Sequence, residues 1–156
     1  MRFRVRYSET DQMGTFYNSR ALEWFEVGRT ELLRAIGRPY AEMESRGVLL
    51  PLAEAHVEYL GRARYDDELE MSVTAQMSGR ARVRFDVQIA HVGEASKSGD
   101  GATGSQADLM VAKGYTVHAV TDPSGRPIRP PAWFCQAISA CGSLCQNGPA
   151  DAHVQR

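Results

Sequence analysis

The stretch Tyr7-Ser-Glu-Thr-Asp-Gln-Met-Gly-Thr-Phe-Tyr-Asn-Ser-Arg-Ala-Leu-Glu-Trp-Phe-Glu-Val-Gly-Arg-Thr-Glu-Leu-Leu-Arg-Ala-Ile36 decides how the rest of the chain is arranged. Glu9 to Asn18 is a polar loop with two carboxylates, Glu9 and Asp11, and a glycine, Gly14. From about Ser19 to Ile36 the spacing predicts one long amphipathic helix. At about 100° per residue, Ala21, Trp24, Phe25, Gly28, Leu32, Ala35 and Ile36 share one face, and Glu23, Glu26, Thr30 and Arg34 the other. Asn18 or Ser19 is the expected N-cap, because a short side-chain oxygen accepts from the free N–H groups of a first turn. Asp11 therefore stands just upstream of a helix N-terminus, which carries unpaired donors and a partial positive charge. An oxyanion can form there next to a carboxylate.

Working outward, Arg2, Arg4 and Arg6 alternate with Phe3, Val5 and Tyr7, a half-buried strand. Gly37-Arg38-Pro39 ends the helix, and Tyr40 to Arg46 suits a short second one. From Val48 the period becomes two. Leu52, Ala55, Val57 and Tyr59 turn inward against Glu54, His56 and Glu58, with a bulge expected between 52 and 55. Leu69 to Met77 and Val83 to Ile89 alternate cleanly around Ser78-Gly79, the clearest hairpin in the chain. A Gly/Ser-rich loop spans Val92 to Gln106. Ala107 to Val120 is a fifth strand, apolar on both faces in part, as a central or interface strand is.

Each clean strand has one apolar face to bury, and the helix stripe is the one partner of matching length. The expected fold is α+β: five strands, mostly antiparallel, curved around the helix and complete by residue 131. The tail from 132 to 156 is expected to dock a short helix through Trp133 and Phe134 and then to be poorly ordered.

Composition narrows the function. The chain has 156 residues, enough for one domain, with 43% apolar residues and a net charge of −1. That charge offers no bulk attraction to nucleic acid or to an anionic membrane. No apolar run is long enough for a membrane span and no signal-peptide core is present, so a cytoplasmic protein is expected. Cys135, Cys141 and Cys145 all lie in the tail and fit reduced thiols.

Several motifs fail on context. Gly99-Asp-Gly-Ala-Thr-Gly104 has the letters of a nucleotide fingerprint but precedes a strand instead of opening a helix. His56, His91, His118 and His153 have no paired spacing, and the cysteines no zinc spacing, so no metal is expected. Arg62, Arg64, Arg80, Arg82 and Arg84 cluster in and beside the hairpin, either as a solvated face or as a patch for phosphates. Asp11 and Glu9 in turn suit both helix capping and catalysis.

The run from Tyr7 to Asn18, followed by Trp24-Phe25-Glu26-Val-Gly-Arg29-Thr-Glu31-Leu-Leu-Arg34, resembles the hot-dog-fold acyl-CoA thioesterases. The branch it most resembles is the 4-hydroxybenzoyl-CoA thioesterase-like group, with its Tol-Pal-associated members. Gly47-Val-Leu-Leu-Pro51, Tyr59 to Leu69 and Gly114-Tyr-Thr-Val-His118 extend the likeness over about residues 2 to 131. The resemblance implies a homodimer or homotetramer with active sites between subunits. It implies Asp11 as catalytic carboxylate, a thioester-polarising backbone N–H near Asn18, and a role for Tyr7. Relatives in the Tol-Pal group often carry His where this chain has Asn18, so an acid/base role for that histidine is absent or replaced.

On this reading a thioester carbonyl sits at the helix N-terminus, and Asp11 either activates a water or attacks the carbonyl to give an anhydride. A thiolate leaves readily, so no strong general acid is required. Tyr17, Arg62, Arg64 and Arg82 are the expected substrate contacts, the arginines meeting the phosphates. Neither cofactor nor metal is called for, and the expected partner is the small acyl-CoA substrate. The competing expectations are an acyl-carrier-protein thioesterase and a non-catalytic acyl-binding protein.

Overall fold

A computed structural model describes residues 1–92 and 109–144, with side chains to Cys141. The glycine-rich letters at 99–104 and the end of the tail lie outside the described residues. In order, the elements are β1 (Arg2–Arg4), a 3-10 turn (Tyr7–Glu9), α1 (Arg20–Ala35), α2 (Tyr40–Ser45), β2 (Leu52–Tyr59), β3 (Glu68–Met77), β4 (Arg82–His91), β5 (Met110–Ala119) and α3 (Ala132–Leu144). The strands form one antiparallel sheet in the order β1-β3-β4-β5-β2, and α1 packs against β3, β4 and β5. The expected α+β architecture is present, and β5 is central, between β4 and β2.

The period-two runs form the ladder they predict. Leu69 faces His91 and Met77 faces Val83 across the β3–β4 hairpin. Their alternate residues Leu69, Met71, Val83, Phe85, Val87 and Ile89 are buried. The β2 bulge falls between Leu52 and Glu54. Four expectations of local structure need correction. The first strand stops at Arg4, because Glu9 turns back to take the Arg6 N–H and coils Tyr7–Glu9 into the 3-10 turn. The stripe of α1 drifts from Leu32 and Ala35 toward Leu33: Ala21, Trp24, Phe25, Gly28 and Leu33 are buried, while Ala35 is exposed. Gly28 marks the closest approach, since a Cβ there would collide with Met71 Sδ and Val73 Cγ2. The third is the helix cap: no side chain caps α1.

Two apolar clusters fill the space between α1 and the sheet. At one end Val5, Phe16, Trp24, Phe25, Leu69 and Ile89 pack beneath the Glu9–Asn18 loop (the loop end). At the other, Leu33, Met43, Val83, Phe85, Phe134 and Ile138 pack beside the β3–β4 turn (the hairpin end). The helix α3 packs on the hairpin end through its aromatics. Phe134 is buried, and Trp133 is stacked upon by Arg38 and Arg46, 5.6 and 4.1 Å from its ring centroid. The fourth correction is in the edge strand β2: Leu52, Ala55 and Tyr59, expected to turn inward, are exposed, because α1 packs against β3, β4 and β5 and only Val57 is partly covered.

Candidate active site

The loop ahead of α1 is a small hairpin closed by backbone bonds. Tyr17 N–H donates to Glu9 O (2.8 Å), Asp11 N–H to Thr15 O (2.9 Å) and Gly14 N–H to Asp11 O (3.0 Å), and Thr10 bridges Phe16. Gly14 takes φ +69°, a left-handed turn open to glycine at little cost. The hairpin is tied down on two sides. Phe16 N–H donates to Ala63 O (2.8 Å), and Ala63 N–H to the Thr15 hydroxyl (3.2 Å). Glu9 is buried, accepting Trp24 Nε1–H on Oε1 (3.0 Å) and Arg6 N–H on Oε2 (2.7 Å). A buried carboxylate is tolerable when donors hold it, and here it fastens the loop to α1.

Asp11 is half-buried on this hairpin. Its Oδ1 accepts Met13 N–H (2.8 Å), and its Oδ2 meets no partner among the described residues. The start of α1 is not capped by a side chain, contrary to expectation. Ser19 already has helical angles, and the N–H groups of Arg20, Ala21 and Leu22 bond three residues back to Tyr17, Asn18 and Ser19. That tight first turn consumes the donors a cap would have served. The N–H groups of Asn18 and Ser19 donate to no acceptor among the described residues. The carbonyl of Asn18 is held by Tyr59 Oη–H (2.9 Å). That tie joins residues 41 apart and has no signal in the sequence.

Asp11, Tyr17 and Asn18 thus share one pinned hairpin. Arg62 and Arg64 flank Ala63 at the same end, both exposed. Tyr7 is also at this end, 79% exposed, its ring edge-on to Tyr65 at 5.6 Å. Arg82 is not brought to them: it opens β4 at the hairpin end, nine residues from His91, about 30 Å at strand rise. Arg84 is committed elsewhere, bonded to Asp86 (2.7 Å) and lying 3.6 Å over the Tyr115 ring.

A cleft of about 200 Å³ opens between α1 and the β2 edge, lined in part by Glu26, Arg29, Leu52, Thr116 and His118. His118 is buried; its Nδ1 faces Leu50 O (2.9 Å), which can only accept, so Nδ1 carries the proton and Nε2 accepts from the Thr116 hydroxyl (3.1 Å). Burial, reinforced by the nearby Arg29 charge, lowers its pKa to about 4. Sequence spacing gave His118 no role. Among the described residues no group of three or more His, Cys, Asp and Glu is placed to hold a metal ion. No helix there is long and apolar enough to cross a membrane.

A five-stranded antiparallel sheet packed on one long helix, with a carboxylate loop at that helix's N-terminus, defines the class. The chain belongs to the Thioesterase-like superfamily, which it matches over residues 5–138. It is 44% identical over 63 residues to the Bacillus subtilis protein named "Putative acyl-CoA thioesterase YneP", a match covering 40% of this chain and 46% of that one. The chain thus spans about half the length of that relative. Among solved structures, a hypothetical protein from Thermus thermophilus superposes with TM-score 0.76 at 26% identity, covering 90% of this chain and 97% of that one. A 1,4-dihydroxy-2-naphthoyl-CoA thioesterase from Synechocystis superposes with TM-score 0.74 at 19% identity, covering 89% and 93%, a likeness of fold.

Proposed function

We propose that the protein hydrolyses acyl-CoA thioesters to a free acid and coenzyme A. The observation that carries this reading is the free Asp11 Oδ2 on a pinned hairpin that leads into a helix start with two unengaged N–H donors. The thioester oxygen accepts from the Asn18 N–H, and the charge that develops on it is stabilised by about 2.7–4 kcal/mol for a well-aimed donor. Two routes follow. In one, Asp11 takes a proton from water while the water oxygen bonds to the carbonyl carbon; the C–S bond then breaks, the thiolate leaves, and Asp11 gives up its proton to the thiolate or to solvent. In the other, an Asp11 oxygen bonds to that carbon, the thiolate leaves, and water cleaves the anhydride. Neither needs a metal or a strong general acid. In this reading Tyr17, Arg62 and Arg64, exposed at the same end, are the substrate contacts, with Tyr7 beside Tyr65 also at that end.

The active form we propose is a homodimer built across β2. That strand bonds to β5 on one side only, and its other edge runs for eight exposed or half-exposed residues. A bare strand edge is a template for pairing, and pairing with a second copy covers it. Leu52, Tyr59 and Leu60, each about half exposed, would be covered together. The test is thiol release from a panel of short, long and aromatic acyl-CoA esters and acyl-carrier-protein esters. Turnover on at least one CoA ester is expected. Turnover on carrier protein alone would shift the substrate, and binding without turnover would leave an acyl-binding protein. Sedimentation should give a dimer or a dimer of dimers, and a proline at Ala55 should shift it to monomer.

A further inference from the structure

Glutamate and arginine stand three residues apart at successive places along α1: Arg20 with Glu23, Glu26 with Arg29, and Glu31 with Arg34. The outer two pairs close as ion pairs on the surface. The middle pair does not. Glu26 is exposed, whereas Arg29 is half-buried and meets no carboxylate or other hydrogen-bond acceptor among the described residues. Its guanidinium carbon lies 5.7 Å from the centre of the Tyr40 ring, and its charge is felt at His118. A guanidinium is all donor and stays charged, so partial burial without an acceptor is unfavourable. Burial accordingly lowers the Arg29 pKa from its ordinary value.

Arg29 borders the cleft between α1 and the β2 edge. The floor there is neutral, with Thr116 donating to His118 Nε2, and Glu23 on the rim is held by Arg20. Arg29 is left as the half-buried charge without a partner. The cleft also has a direction. Leu22, in the first turn of α1, bounds one end, and Arg29 bounds the other, about 10 Å further along the axis. On β5 the inward positions from Thr116 toward the loop end are Gly114, between Val57 and Val87, and Ala112, opposite Tyr59. The Tyr59 hydroxyl holds Asn18. Small residues thus leave a path open along the sheet from the Asn18 N–H toward Arg29.

We propose that Arg29 determines which acyl group is accepted, by receiving the far carboxylate of a straight chain that ends in one. The substrates are then CoA monothioesters of dicarboxylic acids. The chemistry of the cleft selects the group. A carboxylate accepts two parallel N–H bonds from a guanidinium fork, and a methyl end accepts none. A wholly apolar tail would fill the cleft and leave Arg29 cut off from water and unpaired, which selects against it. The path selects the chain: its thioester carbon and its carboxylate stand at opposite ends of the cleft, with methylenes over Gly114 between them. The assignment rests on the thioesterase reading and adds to it the identity of the acyl end.

The test compares kcat/KM for the CoA monothioesters of adipic, suberic and sebacic acid with hexanoyl-, octanoyl- and decanoyl-CoA, in wild type, Arg29→Gln and Arg29→Lys. Wild type should favour the carboxyl-ended member of at least one pair by at least about tenfold. Arg29→Gln should bring that ratio near one, and Arg29→Lys should keep part of it, a pattern that a merely structural role would not produce. Absence of the preference in wild type, or its survival in folded Arg29→Gln, overturns the proposal. So does an Arg29→Gln protein that sediments as monomer with the ratio unchanged, since Arg29 then serves a carboxylate of the second copy. If no ester turns over, the thioesterase reading fails and calorimetry decides the cleft separately. Free suberate should then bind wild type at least about tenfold more tightly than octanoate, and lose that advantage in Arg29→Gln. Equal binding of the two acids by wild type overturns the carboxylate site.

Discussion

The two ends of α1 rest on cores of similar make-up, yet they are finished differently. At the loop end, Trp24 and Phe16 pack 4.9 Å apart, and the surface above them is held by hydrogen bonds: Glu9 to Trp24 and Arg6, Tyr59 to Asn18, Ala63 to Phe16. At the hairpin end, Leu33, Met43, Phe85, Phe134 and Ile138 interlock, and α3 closes the cluster as an apolar lid. Packing tolerates small errors in side-chain position. Hydrogen bonds fix individual atoms, which a reacting carboxylate and an oxyanion donor require. One end of the helix therefore serves stability and the other geometry.

Substitutions at either end sharpen or break that division. The largest effect belongs to Phe134→Ala, expected to cost about 3–5 kcal/mol in urea unfolding while turnover per folded molecule stays at wild type. A loss of kcat without a loss of stability would abolish the distinction. Glu9→Gln comes next: a carboxamide cannot accept from both Trp24 and Arg6 at once, so a buried donor is left unpaired, at about 1–3 kcal/mol. Here kcat should fall as well, measured beside the unfolding curve. His118 gives a pH signature. Its folded pKa of about 4 lies below the ordinary 6.5, so between those values the unfolded chain binds a proton that the fold excludes. Stability should therefore be flat with respect to this group above pH 6.5 and fall as pH drops toward 4. His118→Asn should remove that part of the slope when urea midpoints at pH 4.5 and 7 are compared. Tyr59→Phe should be mildest, about 0.5–1.5 kcal/mol, with a lower kcat because the Asn18 carbonyl loses its tie.

Much of the hairpin end was legible in the sequence, because period-two alternation from Leu69 to Ile89 leaves a single register that turns the apolar set toward the core. The bulge showed as the step from Leu52 to Ala55. The loop and Asp11 were legible chiefly through family resemblance, since acidic residues before a helix serve capping equally well. What escaped depends on contacts between distant residues. Arg6 continues the alternation of β1, but its N–H is claimed by Glu9. Ser19 is a good cap by type, but the tight turn from Tyr17 left it nothing to cap. Arg82 and Arg84 share a face as spaced, yet Asp86 and Tyr115 remove Arg84 from it. Only the fold shows that Arg62 and Arg82 stand at opposite ends of the sheet.

The most direct test is the hydrolysis rate of Asp11→Asn on the best acyl-CoA ester. Asparagine keeps an oxygen to accept the Met13 N–H, so the loop and the unfolding free energy should stay as they are. With the carboxylate gone, kcat should fall at least about 100-fold. Turnover within about threefold of wild type, in a folded variant, would contradict the assignment of the chemistry to Asp11.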